Sequence, residues 1–256
     1  MRFGAWAPLL TLLATGTGSP AAPPERAPVR DFPDGYPDGR AFYFTRAVYS
    51  DAREWRRGSW STDYPEADVH FVMGLERLTG VDAFEHEHPL PLDDPDLRRF
   101  PFLYAVEVGA MALTPAEVAG LRGYLLAGGF LFVDDFWGSY EWANFEAQMR
   151  LVLPEHPITE LAMDHPLLRT FYTIDEVLQV PNVWQGIRGG PTWERDGYVP
   201  HLRGIFDERG RLMVLINWNS DAGDAWEHAD NPYYPLHFGN YAYRLGVNAV
   251  LYGMSR

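Results

Sequence analysis

The sequence predicts a three-layer α/β domain, a mostly parallel sheet with helices on both faces. Three observations carry this expectation. Strand-like and helix-like segments alternate along the chain at the lengths of β-α-β units. Several strand segments (FPFLYAV at 100–106, FLFV at 130–133, LMVLI at 212–216) are unbroken apolar runs, as strands buried on both faces are. Residues 41–256 are enough for one such domain with its own core.

The elements follow in order. Residues 41–49 (AFYFTRAVY) read as the first strand, and 53–64 as a polar, Trp-bearing loop in which Asp63 is placed to cap the next helix. Pro65 opens that helix, as proline does at a first helical position. Val69, Val72, Leu75 and Leu78 give it one apolar face. Residues 81–84 read as a short strand and the acidic, proline-rich 85–95 as a loop. After the strand at 100–106, Thr114-Pro115-Ala116-Glu117 has the form of a capping box with proline at N1. Val118, Leu121 and Leu125 form the apolar stripe, and Gly128-Gly129 stops the helix. The strand at 130–133 leads to a helix from about Tyr140 to Leu153. The stretch 154–202 is less regular, with a short helix near His165, a strand near 177–180 and a Gly/Trp-rich loop. Residues 204–206 and 212–216 flank Asp207-Glu208-Arg209-Gly210 as a hairpin, and a last helix spans 236–253 with Phe238, Tyr241, Leu245 and Val250 on one face.

The start of the chain is different in kind. Arg2, a short apolar stretch at 5–14 and the small residues that follow have the pattern of a secretory signal peptide, assigned to residues 1–22. Residues 23–40, rich in Pro and Gly, read as a leader or linker. The expectation is an exported protein, periplasmic or extracellular. The formal net charge of -14 argues against nucleic acid as a partner, because phosphates demand a basic surface. No later segment reaches the apolar length of a membrane span. There is no cysteine, which excludes thiol catalysis and disulfides.

In an open parallel sheet ligands bind beyond the carboxyl ends of the strands, so the polar clusters there are the candidate sites. Asp134-Asp135-Phe136-Trp137 follows the FLFV strand. Side chains alternate along a strand, so at most one of the two acids enters a given cleft. Asp164-His165-Pro166 supplies the one histidine considered for catalysis, against a structural role at a turn. The third cluster, NWNSDAGDAWEHADNPYYP at 217–235, follows the most apolar strand. Asn217, Asn219 and Asp221 are spaced two apart like the first oxygens of an EF-hand loop. The match then fails, with Ala222 where Gly belongs and His228 where a bidentate Glu belongs. Asp221, Asp224 and Glu227 remain a candidate set for a divalent cation, and otherwise no cofactor is expected. Trp137, Trp218 and Trp226 are candidate stacking surfaces for a polar ligand.

Taken together, FYFTRAVYS, WSTDYPEAD, FPFLYAVE, LTPAEVAGLRGYLLAGGFLFVDDFWG, DHPLLRTFY, SDAGDAWE and RLGVNAVLYGM resemble, in that order, a bacterial family of unknown function numbered 4159. The resemblance runs from about Ala41 to the C-terminus. LTPAEVAGLRGYLLAGGFLFVDD followed by DHPLL is also similar to the class I glutamine amidotransferase-like superfamily, including its trehalose-utilisation-type members, which implies a flavodoxin-like arrangement. In true amidotransferases a cysteine nucleophile sits where this chain has Asp134-Asp135, so fold analogy implies architecture and not the reaction.

The function expected first is a non-catalytic domain binding a small polar ligand, such as a glycan or cell-wall fragment. Trp137, Asn217, Trp218, Asn219, Asp221, Asp224, Trp226 and Glu227 would contact it. The alternatives are a metal-assisted or carboxylate-based hydrolase using Asp134, Asp135 and His165, and a structural component docking an envelope protein.

Overall fold

The structure, a computed structural model, describes residues 1, 42–52 and 59–255. The expected signal peptide and linker, and residues 53–58 of the loop 53–64, lie outside the described residues. The elements are β1 (Thr45–Val48), α1 (Glu66–Thr79), β2 (His88–Pro91), β3 (Phe102–Val106), α2 (Pro115–Leu126), β4 (Phe130–Asp134), α3 (Gly138–Val152), β5 (Ile158–Glu160), α4 (Val183–Arg188), β6 (His201–Phe206), β7 (Leu212–Trp218), α5 (Ala222–Glu227) and α6 (Leu236–Met254). The strands form one seven-stranded sheet in the order β2-β1-β3-β4-β7-β6-β5. The first five in that order pair in parallel, while β6 runs antiparallel to both β7 and β5.

Helices cover both faces, as the unbroken apolar runs require. In β4, Phe130 and Phe132 face the layer of α1, α5 and α6, whereas Leu131 and Val133 face α2 and α3. The α6 stripe of Phe238, Tyr241, Leu245 and Val250 is buried as its spacing predicts. Thr114 closes a complete capping box with Glu117 at the start of α2. The hairpin turn is closed by Asp207, whose Oδ1 accepts from the backbone N–H of Arg209 and Arg211, and by Gly210 at φ 79°.

Four local expectations are corrected. Residues 85–95 are not simply a loop, because β2 lies within them and pairs in parallel with β1. It is the edge strand, where Pro89 and Pro91 are tolerated because one side needs no donors. Residues 81–84 form only a single bridge, Phe42 to Ala83. Residues 177–180 do not join the sheet. Val180 is instead held by its N–H to Ser220 Oγ at 3.0 Å and by its carbonyl, which accepts from Asp221 N. In α1 the buried face is Ala67, Phe71, Val72 and Leu75, and Leu78 is exposed.

Candidate functional site

The loops that leave β1, β3, β4 and β7 meet at one end of the sheet. Each contains a non-glycine residue in the left-handed region: Asp63 at φ 58°, Glu107 at 51°, Asp135 at 49° and Asn219 at 61°. Asp and Asn tolerate this conformation, whereas Glu does so less readily. Such backbone persists only where its surroundings fix it. Here the loops fasten one another: Glu107 N donates to Asp135 O, Asp135 N to Ser220 O and Asn219 N to Phe136 O.

The two acids at the end of β4 serve different partners: Asp134 is the last residue of the strand, and Asp135 has already left it in left-handed backbone. Asp134 continues the Phe132 face and is fully buried. Its Oδ2 accepts from Tyr104 Oη at 2.7 Å and from the backbone N–H of Ala222 and Gly223, and its Oδ1 accepts from Asn217 Nδ2 at 2.8 Å. Burial pushes its carboxyl up to about 6, against the hydrogen bonds from Tyr104 and Asn217 that hold it down. Asp134 therefore latches the start of α5 to the sheet. Asn217 completes this latch, although its Oδ1 is buried without a partner.

Asp135 meets Asp63 and Asp221. One carboxylate oxygen of each lies within 4.8 Å of one of each of the others. Asp135 Oδ1 accepts from Trp137 Nε1 at 2.9 Å, and Asp221 Oδ1 caps α5 by accepting from Asp224 N at 2.8 Å. Asp63 does not cap α1 with its side chain; the cap position is Pro65, and Asp63 Oδ2 is buried without a hydrogen-bond partner. All three carboxyls are held well above the ordinary carboxylate range, first by burial. Mutual repulsion adds to this: Asp135 faces Glu107, Asp63 and Asp134, while Asp221 faces Asp135, Asp224 and Asp63. Three such groups at this spacing hold protons, or a cation in their place.

The cation Arg46 stands behind this group, fully buried. Its guanidinium pairs with Asp68 through Nε and Nη2, and its Nη1 donates to Thr62 O at 3.0 Å and Trp60 O at 3.4 Å. It thereby holds the backbone on either side of Ser61, next to Asp63. Glu107, one residue beyond β3, is pushed up to about 7 by burial, with Arg195 opposing and Glu194 adding to the rise. Arg195 also pairs with the buried Glu141, which in turn accepts from Trp137 N.

The remaining candidates divide. Trp226 is fully buried against Phe71, Tyr104 and Phe44, so it is core and no stacking surface. Trp137 is 3% exposed and serves Asp135 through its Nε1. Trp218 lies between Trp142, His201 and the guanidinium of Arg203, on the opposite face of the strand from Asn217. Asn219 fixes loops: its Oδ1 accepts from Gly138 N and its Nδ2 donates to Val199 O. The expected cation set of Asp221, Asp224 and Glu227 is split. Asp221 joins Asp63 and Asp135, while Asp224 and Glu227 gather with His228, and Asp224 Oδ2 accepts from Val183 N. His165 caps the short helix Pro166–Arg169 and packs on Phe206 and Tyr252. Phe206 ends the antiparallel β6, beside the amino end of β7, so His165 sits at the end of the sheet opposite Asp134 and Asp135. One reacting centre cannot use both.

Sequence reasoning missed Asp63, Glu107, Tyr104 and Arg46. Asp63 looked like a helix cap, and a local signal did not contradict that. Arg46 inside an apolar strand was a usable signal, because a buried cation requires a partner.

Among the described residues no helix is long and apolar enough to cross a membrane. A search of curated proteins finds no match to this chain. The family model described as domain of unknown function (DUF4159) matches residues 44–254, nearly the whole described domain. The chain belongs to the DUF4159 family.

Proposed function

We propose that this domain binds a small polar ligand, a glycan or cell-wall fragment, in the crevice beyond the carboxyl ends of β3, β4 and β7. The observation that supports it is the convergence of Asp63, Asp135 and Asp221 at the end of the sheet to which a loop with an exposed aromatic pair is tied. Trp193 and Tyr198 have ring centroids 5.7 Å apart and are 39% and 63% exposed. Their loop is tied to the end of β7, because Asn219 donates to Val199 O and Gln179 donates to Gly197 O and Asn219 O. Aromatic faces beside carboxyl groups suit the apolar faces and hydroxyls of a sugar. The same reading places the fold near the glutamine amidotransferase-like proteins, supported by the parallel order β2-β1-β3-β4-β7 and by the α2-Gly-Gly-β4 passage that ends in Asp134-Asp135. An exported location, resting on the signal-peptide pattern, belongs to it too.

The test is a thermal-unfolding screen of the chain against oligosaccharides and muropeptides. A ligand at a hundred times its Kd adds about 2.7 kcal/mol. For a domain of this size that raises the midpoint by roughly 5–10 °C. Trp193→Ala and Asp135→Asn are each expected to abolish the shift. A shift that both variants retain, or a panel with no shift at all, refutes the proposal. A hydrolytic use of the crevice is the second reading, favoured by Glu107, whose carboxyl at about 7 suits proton transfer at neutral pH. Glu107→Gln would then stop turnover of the bound ligand while leaving its affinity intact.

A further inference from the structure

We infer that Asp63, Asp135 and Asp221 together hold one divalent cation of the hard, oxygen-preferring class, calcium above magnesium. The inference deepens the binding reading by placing the cation in the same crevice, where it would present open coordination positions to a ligand's hydroxyl or carboxylate groups.

Two independent observations carry it. The first is spacing. Three carboxylate oxygens, each within 4.8 Å of the others, can share one centre at calcium's distances of about 2.3–2.6 Å. Magnesium demands about 2.0–2.1 Å in a strict octahedron, a tighter requirement on three carboxylates from separate loops. The second is the unsatisfied oxygen of Asp63. Although Asp63 is partly exposed as a residue, its Oδ2 is shut off from solvent and has no hydrogen-bond partner. It lies against Gly223, where an added Cβ would stand 2.6 Å from it, 3.1 Å from Tyr104 Oη and 3.7 Å from Asp221 Oδ1.

The nearby donors are already engaged. Tyr104 Oη and the N–H groups of Ala222 and Gly223 serve Asp134. Asp224 N serves Asp221, and Trp137 Nε1 serves Asp135. Arg46 is committed to Asp68 and to the carbonyls of Trp60 and Thr62, and Arg195 pairs with Glu141. A buried carboxylate oxygen facing two more carboxylates, with these donors spent elsewhere, is satisfied by a cation. Only oxygens are offered, which disfavours the softer metals that seek nitrogen or sulfur.

The experiment is calorimetric titration of the chelator-treated full chain with calcium, then magnesium, then zinc. The expected result is one calcium site per chain, with magnesium weaker. Asp63→Asn and Gly223→Ala are each expected to weaken calcium binding at least tenfold, the first by removing a charge and the second by driving a methyl into Asp63 Oδ2. Asp63→Asn leaves the donors of the Asp134 latch in place, whereas the Gly223→Ala methyl also comes within 3.1 Å of Tyr104 Oη, so unfolding midpoints without cation check that both variants fold. No calcium binding by the folded wild-type chain at millimolar concentration overturns the inference. So does binding that both variants retain, or a zinc site lost in His228→Gln but kept in Asp63→Asn, which would put the ion at Asp224, Glu227 and His228. A flat calcium titration alongside a positive sugar screen removes the cation and leaves the binding reading standing. Calcium binding with no sugar response does the reverse.

Discussion

Arg46→Met is the perturbation that most directly tests how the acidic end of the sheet is built. Arg46 and Asp68 are 0% and 1% exposed and contact each other through both Asp68 oxygens. Removing the guanidinium leaves Asp68 buried without its cation and leaves the carbonyls of Trp60 and Thr62 without a donor. Breaking one partner of a buried pair costs about 3–5 kcal/mol. Against a typical total of about 5–15 kcal/mol that is a large fraction. At about 2–4 °C per kcal/mol for a domain of this size, the midpoint should fall by roughly 10 °C. Burial already pushes the Asp68 carboxyl up, and Arg46 is what opposes it. Without Arg46 the folded state binds more protons than the unfolded state above the ordinary carboxylate range, so stability falls as pH rises. The deficit should therefore be larger at pH 8 than at pH 5. Replacing both partners, in Arg46→Met/Asp68→Leu, should recover most of the lost stability, because the desolvated charge is gone as well. Urea unfolding of the wild type, both single variants and the double variant measures this as a coupling of about 2 kcal/mol or more. A single variant within about 1 kcal/mol of wild type, or four stabilities that simply add, would refute the reasoning. The double variant carries a second consequence. Its fold recovers, but the backbone beside Asp63 stays unanchored, so calcium binding should remain weakened.

Two further outcomes are expected. Trp226→Ala should cost about 3–5 kcal/mol in urea unfolding, since it empties a site packed by Phe44, Phe71, Tyr104 and Phe132; a loss below about 1 kcal/mol would mean that the ring is not core. His88, fully buried beside Thr45 Oγ1 and Phe100, is pushed down to about 3 by burial. Between that value and its ordinary one near 6.5 the unfolded state binds the extra proton, so stability rises with pH and is lost as pH falls through this window, by up to about 1.4 kcal/mol per pH unit. His88→Gln should flatten that part of the stability–pH curve, and an unchanged slope would assign it to other groups.

What was legible in the sequence is local. The capping box at Thr114 involves residues three apart and formed as read. The α6 stripe and the apolar runs of β3, β4 and β7 needed only periodicity and run length to announce a parallel sheet covered on both faces. The rest depended on contacts between distant segments. β2 is a strand because it lies at an edge beside β1, a place where two prolines do no harm, and no pattern inside 88–91 says so. Trp226 looked like a ligand platform among acids and is core, because α5 lays it against Phe71 of α1 and Tyr104 of β3. His165 looked like a neighbour of Asp134 and stands at the other end of the sheet, because α6 and β6 hold it there. The layers, most elements and the end of the sheet where acids collect follow from propensity, period and burial along short stretches. Which acids meet is set by contacts between distant segments. Asp63, Asp135 and Asp221 lie on three loops far apart in the chain, two of them in left-handed backbone that periodicity does not encode, and their convergence exists only once the sheet has set the loops side by side.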